Sequence, residues 1–415
     1  MPDISSSAIS EIRTTAAYTV FLASYLVFAV GKFPGFKIDR PGAAIIGAVL
    51  MVSLGIVLPE DALRLIDFPT LVLLFSMMLI VAYLHQAGFF DWISHLIATR
   101  LKPHHLLPAV IFTSGILSAF FVNDIVCLAM VPLVLKATRR LDVKSLPYLL
   151  AVATASNIGS VATITGNPQN ILIGSSSGIP YVKFMYYLGP VSIAGLFIDW
   201  AVIHIAFARR GGLEASCGTL DPLRPANPSQ LVKPVLVVAA VLLGFMAGFP
   251  PALVAALGAA AMLVSRTRDP RSAYDEVDWG LLIFFVGLFL IIGGADKAGI
   301  TQDLLDIADR WNLRNPAIFT VVVAALSNVV SNVPAVMLIK PFVAGFPHPD
   351  TGWLLLSMSS TLAGNLTITG SVANIIVVEQ ARKESVIGFW DYFRVGLPVT
   401  LLTLLGGILW LWWIG

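Results

Sequence analysis

The first candidate for chemistry is a run of amide and hydroxyl side chains inside an apolar segment, at residues 156–170. Gly166 and Pro168 would interrupt an α-helix there, because glycine destabilises a helix and proline removes a backbone hydrogen bond. Interrupted backbone at membrane depth occurs only where it lines a cavity or is buried in protein. The pattern therefore predicts a discontinuous transmembrane helix of a secondary transporter, with a substrate site at its break.

Three further polar interruptions lie within apolar runs, and together the four are named as follows: the first tip (Asn123-Asp124), the first break (Thr165-Gly166-Asn167), the second tip (Ser331-Asn332) and the second break (Thr369-Gly370-Ser371). Helices that restart after such places offer free N–H groups and a partial positive charge. Amides and hydroxyls both donate and accept hydrogen bonds. The predicted substrate-binding residues are Asn123, Thr165, Gly166, Asn167, Ser331, Asn332, Thr369, Gly370 and Ser371. Capping of helix ends is the structural alternative for these residue types.

Asp124 is the only carboxylate at the four places, since the matching position of the second tip is Val333. A carboxylate within the membrane is by default a functional candidate, either as a proton carrier or as a cation ligand. We predict that Asp124, Asn157 and Asn170 serve ion or proton coupling. Asp199 is a weaker candidate for ion or proton coupling, because it could simply hydrogen-bond His204 one turn further along its helix.

The composition excludes a soluble domain. Of the 415 residues 57% are hydrophobic and only 12% are charged, whereas soluble domains carry about 25% charged residues. No Walker sequence or His-Glu-x-x-His motif occurs, so we expect a non-enzymatic protein without cofactor, metal or nucleic acid, which does not itself hydrolyse ATP. The sequence predicts an all-α polytopic membrane protein whose partners are the lipid bilayer, a small solute and a coupling ion.

Ten apolar runs are long enough to span a bilayer, whereas the runs 106–135 and 316–346 are each split in the middle by a tip. If both split runs are re-entrant hairpins and the N-terminus is external, 19 of the 26 basic residues fall in cytoplasmic loops. The tendency of basic residues to stay in the cytoplasm therefore favours hairpins over spanning helices. It also predicts that both termini are external.

The two halves of the chain repeat. Leu117-Ser118 matches Leu326-Ser327 at an offset of 209, and Thr163-Ile164-Thr165-Gly166 matches Thr367-Ile368-Thr369-Gly370 at an offset of 204. Five spans and one hairpin in each half make an odd number of crossings, so the second copy must be inverted. The predicted division is a first repeat 1–207 with broken helix 147–173, a cytoplasmic linker 208–233, and a second repeat 234–415 with broken helix 352–378.

At these residues the chain resembles the ion transporter superfamily, in its branch of arsenite pumps and sodium/proton antiporters (ArsB/NhaD type). The resemblance covers nearly the whole chain, and its most specific parts are the first tip with Pro132 downstream, the run 165–170, and Asn332-Val333-Pro334. It implies two inverted repeats, each with a re-entrant hairpin and a broken helix, in a prokaryotic inner membrane. It further implies elevator-like movement of the hairpin-bearing part, a homodimer and, as in arsenite pumps, a separate ATPase subunit.

The residues favour an uncharged substrate, because no Arg or Lys lies near a tip or a break. The first hypothesis is proton-coupled efflux of arsenite or antimonite, the function of arsenical resistance. The alternative is a sodium-coupled transporter of an inorganic anion or dicarboxylate, or a sodium/proton antiporter. A channel-like or non-transporting membrane scaffold is the third hypothesis, and two symmetric broken helices argue against a scaffold.

Overall fold

The computed structural model describes residues 3–31, 36–93, 103–208, 228–265 and 269–414, and within these ranges the chain is helical with no strand. The helices of the first half are α1 Asp3–Val30, α2 Arg40–Ser53, α3 Pro59–Leu65, α4 Phe68–Gln86, α5 Leu106–Phe120, α6 Asn123–Arg140, α7 Leu146–Ser160, α8 Pro168–Ser177 and α9 Tyr181–Ala208. Those of the second half are α10 Pro228–Met246, α11 Pro251–Leu263, α12 Pro270–Asp275, α13 Trp279–Lys297, α14 Ile300–Arg310, α15 Pro316–Val330, α16 Asn332–Ile339, α17 Pro349–Leu362, α18 Val372–Ala381 and α19 Phe389–Ile414. The predicted all-α class is confirmed over these ranges.

Five of the described helices are long and apolar enough to cross a membrane. They are α4, α13 and α19, together with the segment Glu11–Val30 of α1 and the segment Tyr181–Phe207 of α9. Other apolar helices are shorter, at 10–17 residues. The predicted linker 208–233 lies mostly outside the described residues, and its predicted end is too late because α10 already begins at Pro228.

Helices α4 and α13 begin in the same way and run antiparallel. Each is preceded by an aspartate whose side chain accepts from a backbone N–H of the first turn, Asp67 in α4 and Asp278 in α13. At one end of the pair the ring of His85, near the end of α4, lies 3.0 Å from Glu276, just before α13. At the other end Lys297, the last residue of α13, lies 2.5 Å from Asp61, before α4, and lowers the pKa of that carboxyl.

Helix α5 lies beside α7 in the same direction. The Thr163 hydroxyl, just after α7, donates to the carbonyl of Ala119, one residue from the end of α5. Four residues earlier in both segments, Gly159 lies so close to Gly115 that a Cβ on Gly159 would overlap the Gly115 carbonyl. Glycine is therefore required at this crossing, and the two helices reach the first tip together.

Helix α6 returns along α7 in the opposite direction. Asn123, its first residue, lies against Asn157 near the end of α7, whereas Cys127 lies nearest to Val152 and Ser156, further back along α7. The chain thus reverses at residues 121–122, and the second arm extends to Arg140 rather than to the predicted end at 135.

The second split run also turns back on itself. The ring of Phe319, near the start of α15, lies 4.9 Å from the ring of Phe346, which follows α16 and a 3-10 turn at Lys340–Gly345. The arms 316–330 and 332–346 therefore lie side by side. Ser331 joins them with φ of 78°, a backbone conformation that residues other than glycine rarely adopt.

Candidate functional site

The first break separates α7 from α8 and is closed by its own amides. Asn167 caps α8, because its side-chain oxygen accepts from the Asn170 backbone N–H at 2.8 Å. The Asn170 amide nitrogen donates to the carbonyls of Ser160 and Thr163, both at 3.0 Å. A Cβ on Gly166 would overlap the Ser160 backbone, so this segment folds tightly only with glycine.

The second break repeats this clamp at an offset of 204. The Asn374 amide nitrogen donates to the carbonyls of Gly364 at 2.6 Å and Thr367 at 3.0 Å. The break itself contains two 3-10 turns, at Ala363–Asn365 and Ile368–Gly370. Ser371 stands at the N-cap of α18 but its hydroxyl does not cap the helix. That hydroxyl is directed instead to the first half of the chain.

Asn157 is the hub at which the two halves meet. Its side-chain oxygen accepts from the Asn123 amide and from the Ser371 hydroxyl, both at 3.0 Å. Its amide nitrogen donates to the side-chain oxygens of Asn365 and Asn374, both at 2.9 Å. We call these five buried residues the asparagine cluster. It joins the first tip, the first broken helix and the second break.

Asn365 belongs to this cluster but the sequence did not single it out. The matching residue of the first repeat is Val161, so neither the repeat nor the tips and breaks pointed to it. Its amide nitrogen donates to the carbonyl of Thr154 at 3.3 Å, which ties the cluster to the middle of α7.

The second tip lies against the first break. With its amide oriented so that both atoms find partners, Asn332 donates to the carbonyls of Ser360 at 3.0 Å and Gly370 at 3.3 Å, and accepts from the Gln169 amide at 3.2 Å. Gln169 and Asn167 both donate to the Thr361 hydroxyl at 3.2 Å. The structure therefore brings residues of all four predicted places into one buried polar region.

The two breaks differ in exposure, although their sequences match. Thr165 is fully buried, and its hydroxyl lies 2.9 Å from the hydroxyl of Tyr181, whose ring packs on Phe245 with centroids 5.0 Å apart. Thr369 is exposed, and Ser331 is partly exposed. In this conformation the second break is therefore exposed at the protein surface, whereas the first is enclosed.

A family comparison decides which kind of protein carries this site. The model of the citrate transporter family, CitMHS, matches residues 25–353, most of the chain. The chain belongs to the CitMHS family. The resemblance to the ion transporter superfamily is thereby confirmed, and the chain is a multi-pass membrane transporter.

Relatives of this CitMHS member include transporters from distant organisms. The silicon efflux transporter LSI3 of Oryza sativa subsp. japonica is 30% identical, over 96% of this chain and 96% of that protein. The putative transporter arsB of Dictyostelium discoideum is 26% identical, over 96% of this chain and 92% of that protein. The Alcanivorax borkumensis YdaH transporter shares the fold, with a TM-score of 0.60 at 14% identity over 97% of this chain and 98% of that one.

The predicted coupling residues of the CitMHS member occupy different places. Asn157 and Asn170 lie within the buried polar region. Asp124 is partly exposed and makes no hydrogen bond to any described residue, although it lies within electrostatic range of Asp278, the residue that caps α13. Asp124 therefore stands at the edge of the asparagine cluster and not inside it.

Asp199 does not hydrogen-bond His204, so this expectation was wrong. Asp199 is fully buried, whereas His204 is exposed and packs on Trp200 with ring centroids 5.9 Å apart. Five positions along a helix turn the two side chains to different faces.

The asparagine cluster of this CitMHS member offers amides, one hydroxyl and nearby carbonyls of the breaks. Among the described residues no charged side chain hydrogen-bonds to a side chain of the cluster. Such groups can exchange their mutual hydrogen bonds for those of a small solute, because each amide both gives and takes.

Proposed function

We propose that this CitMHS member is a secondary transporter that exports a small, uncharged, hydroxylated inorganic acid, arsenous or antimonous acid, in exchange for protons. The observation that carries the proposal is the asparagine cluster, which joins both repeats through hydrogen bonds between uncharged groups. Two relatives bear names of matching chemistry, a silicon efflux transporter and a putative arsB transporter. Silicic acid belongs to the same chemical class as arsenous acid.

The physical reason is the cost of charge in a dry site. An anion that leaves water must be compensated by opposite charge, or its desolvation is not recovered. A neutral acid with several hydroxyl groups needs only donors and acceptors, and amides supply both. The asparagine cluster therefore suits the neutral acid better than its anion.

The family description as citrate transporters favours a second candidate, the sodium-coupled transport of an organic or inorganic anion. In that case the N-terminus of α8, capped by Asn167, would face the anion. Sodium would be held by Asp124 and by carbonyls of the breaks. A sodium/proton antiporter would use the same carboxylate without an organic substrate.

The proposed architecture is a pair of inverted repeats, 1–207 and 234–415, with both termini outside a prokaryotic inner membrane. Its support is the equivalent capping of α4 and α13 and their antiparallel orientation. The two reversing runs 106–140 and 316–346 are then re-entrant hairpins. Assembly as a homodimer and association with a separate ATPase remain predictions from the family resemblance.

The test is transport of arsenite in everted membrane vesicles from cells that express the full chain. With an acidic vesicle interior we expect arsenite to accumulate, independently of sodium, and an uncoupler to abolish the accumulation. Asn157→Leu should abolish it, whereas Gln302→Ala, which removes an exposed amide on α14, should not. Sodium-dependent citrate uptake without arsenite movement would establish the second candidate instead.

A further inference from the structure

The carboxylate of Asp199, in the middle of α9, is a buried titratable group to which the proposed function assigns no role. Its side chain is 0% exposed, and neither carboxylate oxygen finds a hydrogen-bonding partner in the described part of the chain. The Thr154 hydroxyl of α7 lies alongside it but donates to the Leu150 carbonyl at 2.8 Å. Asp199 is therefore enclosed by protein and left unsatisfied.

A second unsatisfied group lies nearby on α19. The hydroxyl of Tyr392 is also buried without a hydrogen bond to the described residues; the phenol lies beside Asn374 and within electrostatic range of Asp199 and Cys127. One turn before Asp199, Gly195 packs against Ile158 of α7, the residue next to the hub Asn157. We call Asp199 and Tyr392 the buried pair; it lies next to residues of the asparagine cluster.

The charged groups on the described helices packed around α9 lie away from Asp199. Helix α5 carries no titratable side chain; on α19, Arg394 is exposed and Asp391 accepts from the Gly388 backbone N–H at 3.2 Å. Asp350 of α17 pairs with Lys183 at the far end of α9, 2.6 Å away. Lys233 of α10 donates to the Met262 carbonyl at 3.4 Å. The titratable groups near Asp199 are the phenol of Tyr392 and, beyond it, the thiol of Cys127.

An unpaired charge in such a place is not tolerated. Moving an ionised carboxylate into an apolar interior without a partner is so unfavourable that the group takes up a proton instead. The described conformation therefore holds Asp199 in its neutral acid form. Loss of that proton requires a conformation that brings water or a donor to the carboxylate.

Two contacts connect the buried pair to the asparagine cluster. The Thr154 carbonyl accepts from the Asn365 amide at 3.3 Å, and the Tyr392 ring lies beside Asn374. An ionised Asp199 would attract the Tyr392 hydroxyl and the Thr154 hydroxyl as donors, and both movements disturb residues that hold the cluster. The charge of Asp199 and the geometry of the cluster are thus linked.

We propose that Asp199 is a proton-binding site that couples the proton gradient to the asparagine cluster, in addition to Asp124 at its edge. The inference rests on the proposed function only in taking the coupling ion to be a proton. The proton is bound to a carboxylate oxygen of Asp199 in the described conformation, in which this side chain is buried. It leaves from the same oxygen in a second conformation of the transporter, in which water reaches the carboxylate. Asp199 carries the proton and does not contact the solute.

The first experiment needs no substrate. Infrared spectra of the full chain in liposomes at neutral pH should contain the C=O stretch of a protonated carboxyl group. The band should disappear in Asp199→Asn, persist in Asp124→Asn, and return at a shifted frequency in Asp199→Glu. A spectrum unchanged by Asp199→Asn overturns the proposal, and so does loss of the band on addition of sodium at constant pH.

The second experiment uses arsenite in vesicles. Accumulation driven by a proton gradient should fall in Asp199→Asn to the level of vesicles without the protein, while exchange of labelled for unlabelled arsenite without a gradient continues. Loss of both activities in a variant with normal thermal unfolding would show a structural role and overturn the proposal. If the unaltered protein moves no arsenite, the proposed function fails, and the infrared band still decides the role of Asp199.

Discussion

Replacement of the hub residue should destabilise the protein more than replacement of its repeat partner. Asn157→Leu keeps the side-chain size and removes four side-chain hydrogen bonds. The matching residue at an offset of 204 is Thr361, which accepts two, so Thr361→Val is the matched control. Side-chain hydrogen bonds in membrane proteins average about 0.6 kcal/mol, which gives losses of about 2.4 and about 1.2 kcal/mol.

The measurement is the free energy of unfolding in mixed micelles, titrated with a denaturing detergent. A loss of about 2.4 kcal/mol changes the equilibrium constant roughly fifty-fold, well beyond the scatter of such titrations. Ser371→Ala removes one bond to the hub and calibrates the scale. Combined with Asn157→Leu, it should add less than its separate cost, because the two variants remove the same bond.

The order of the costs tests the reasoning more strictly than their size. Buried partners left unsatisfied add to each loss, by about 1–3 kcal/mol for a group that finds no water. This addition increases the loss of stability at Asn157 more than at Thr361, because Asn157→Leu leaves more hydrogen-bonding partners unsatisfied than Thr361→Val does. Equal costs for Asn157→Leu and Thr361→Val, or a larger cost for Thr361→Val, would refute Asn157 as the hub.

Three further variants test the breaks and the ends of the helices. Gly166→Ala should abolish arsenite transport in vesicles, because its Cβ overlaps the backbone at the end of α7, whereas Gly406→Ala, whose Cβ meets open space, should leave transport intact. In a cysteine-free background, Thr369→Cys should react with a hydrophilic thiol reagent and Thr165→Cys should not, because only Thr369 is exposed; equal labelling would contradict the described conformation. The lysine that ends α13 lowers the pKa of Asp61, so the pair stabilises the fold above the usual carboxyl pKa of 3.8 and loses this effect as the pH falls. Asp61→Asn should flatten the acid side of a plot of unfolding temperature against pH.

The sequence could predict where the backbone breaks, because the determinants are local. Gly166 followed by Pro168 cannot continue a helix, and Asn167 between them has the side chain that caps the next one. Repetition then carried the prediction to Gly370 and Ser371. Each of these statements needs only the preference of a residue for its own backbone conformation.

Partners from distant parts of the chain could not be predicted in the same way. Asn365 joins the hub although its repeat partner is Val161, and Ser371 gives up capping to donate to Asn157. Thr165 and Thr369 have identical neighbours in sequence but opposite exposure, because Tyr181 covers only the first. Such differences arise from packing between helices, and a repeat in the sequence conceals them.

A neutral substrate site and a separate acid solve different parts of proton exchange. Amides do not change charge in the physiological pH range, so the asparagine cluster alone cannot respond to a proton gradient. A carboxylate within the cluster would respond, but once ionised it would also attract cations to the site. In the proposed mechanism Asp199 avoids this conflict, because Thr154 and Tyr392 separate it from the solute while linking it to Asn365 and Asn374.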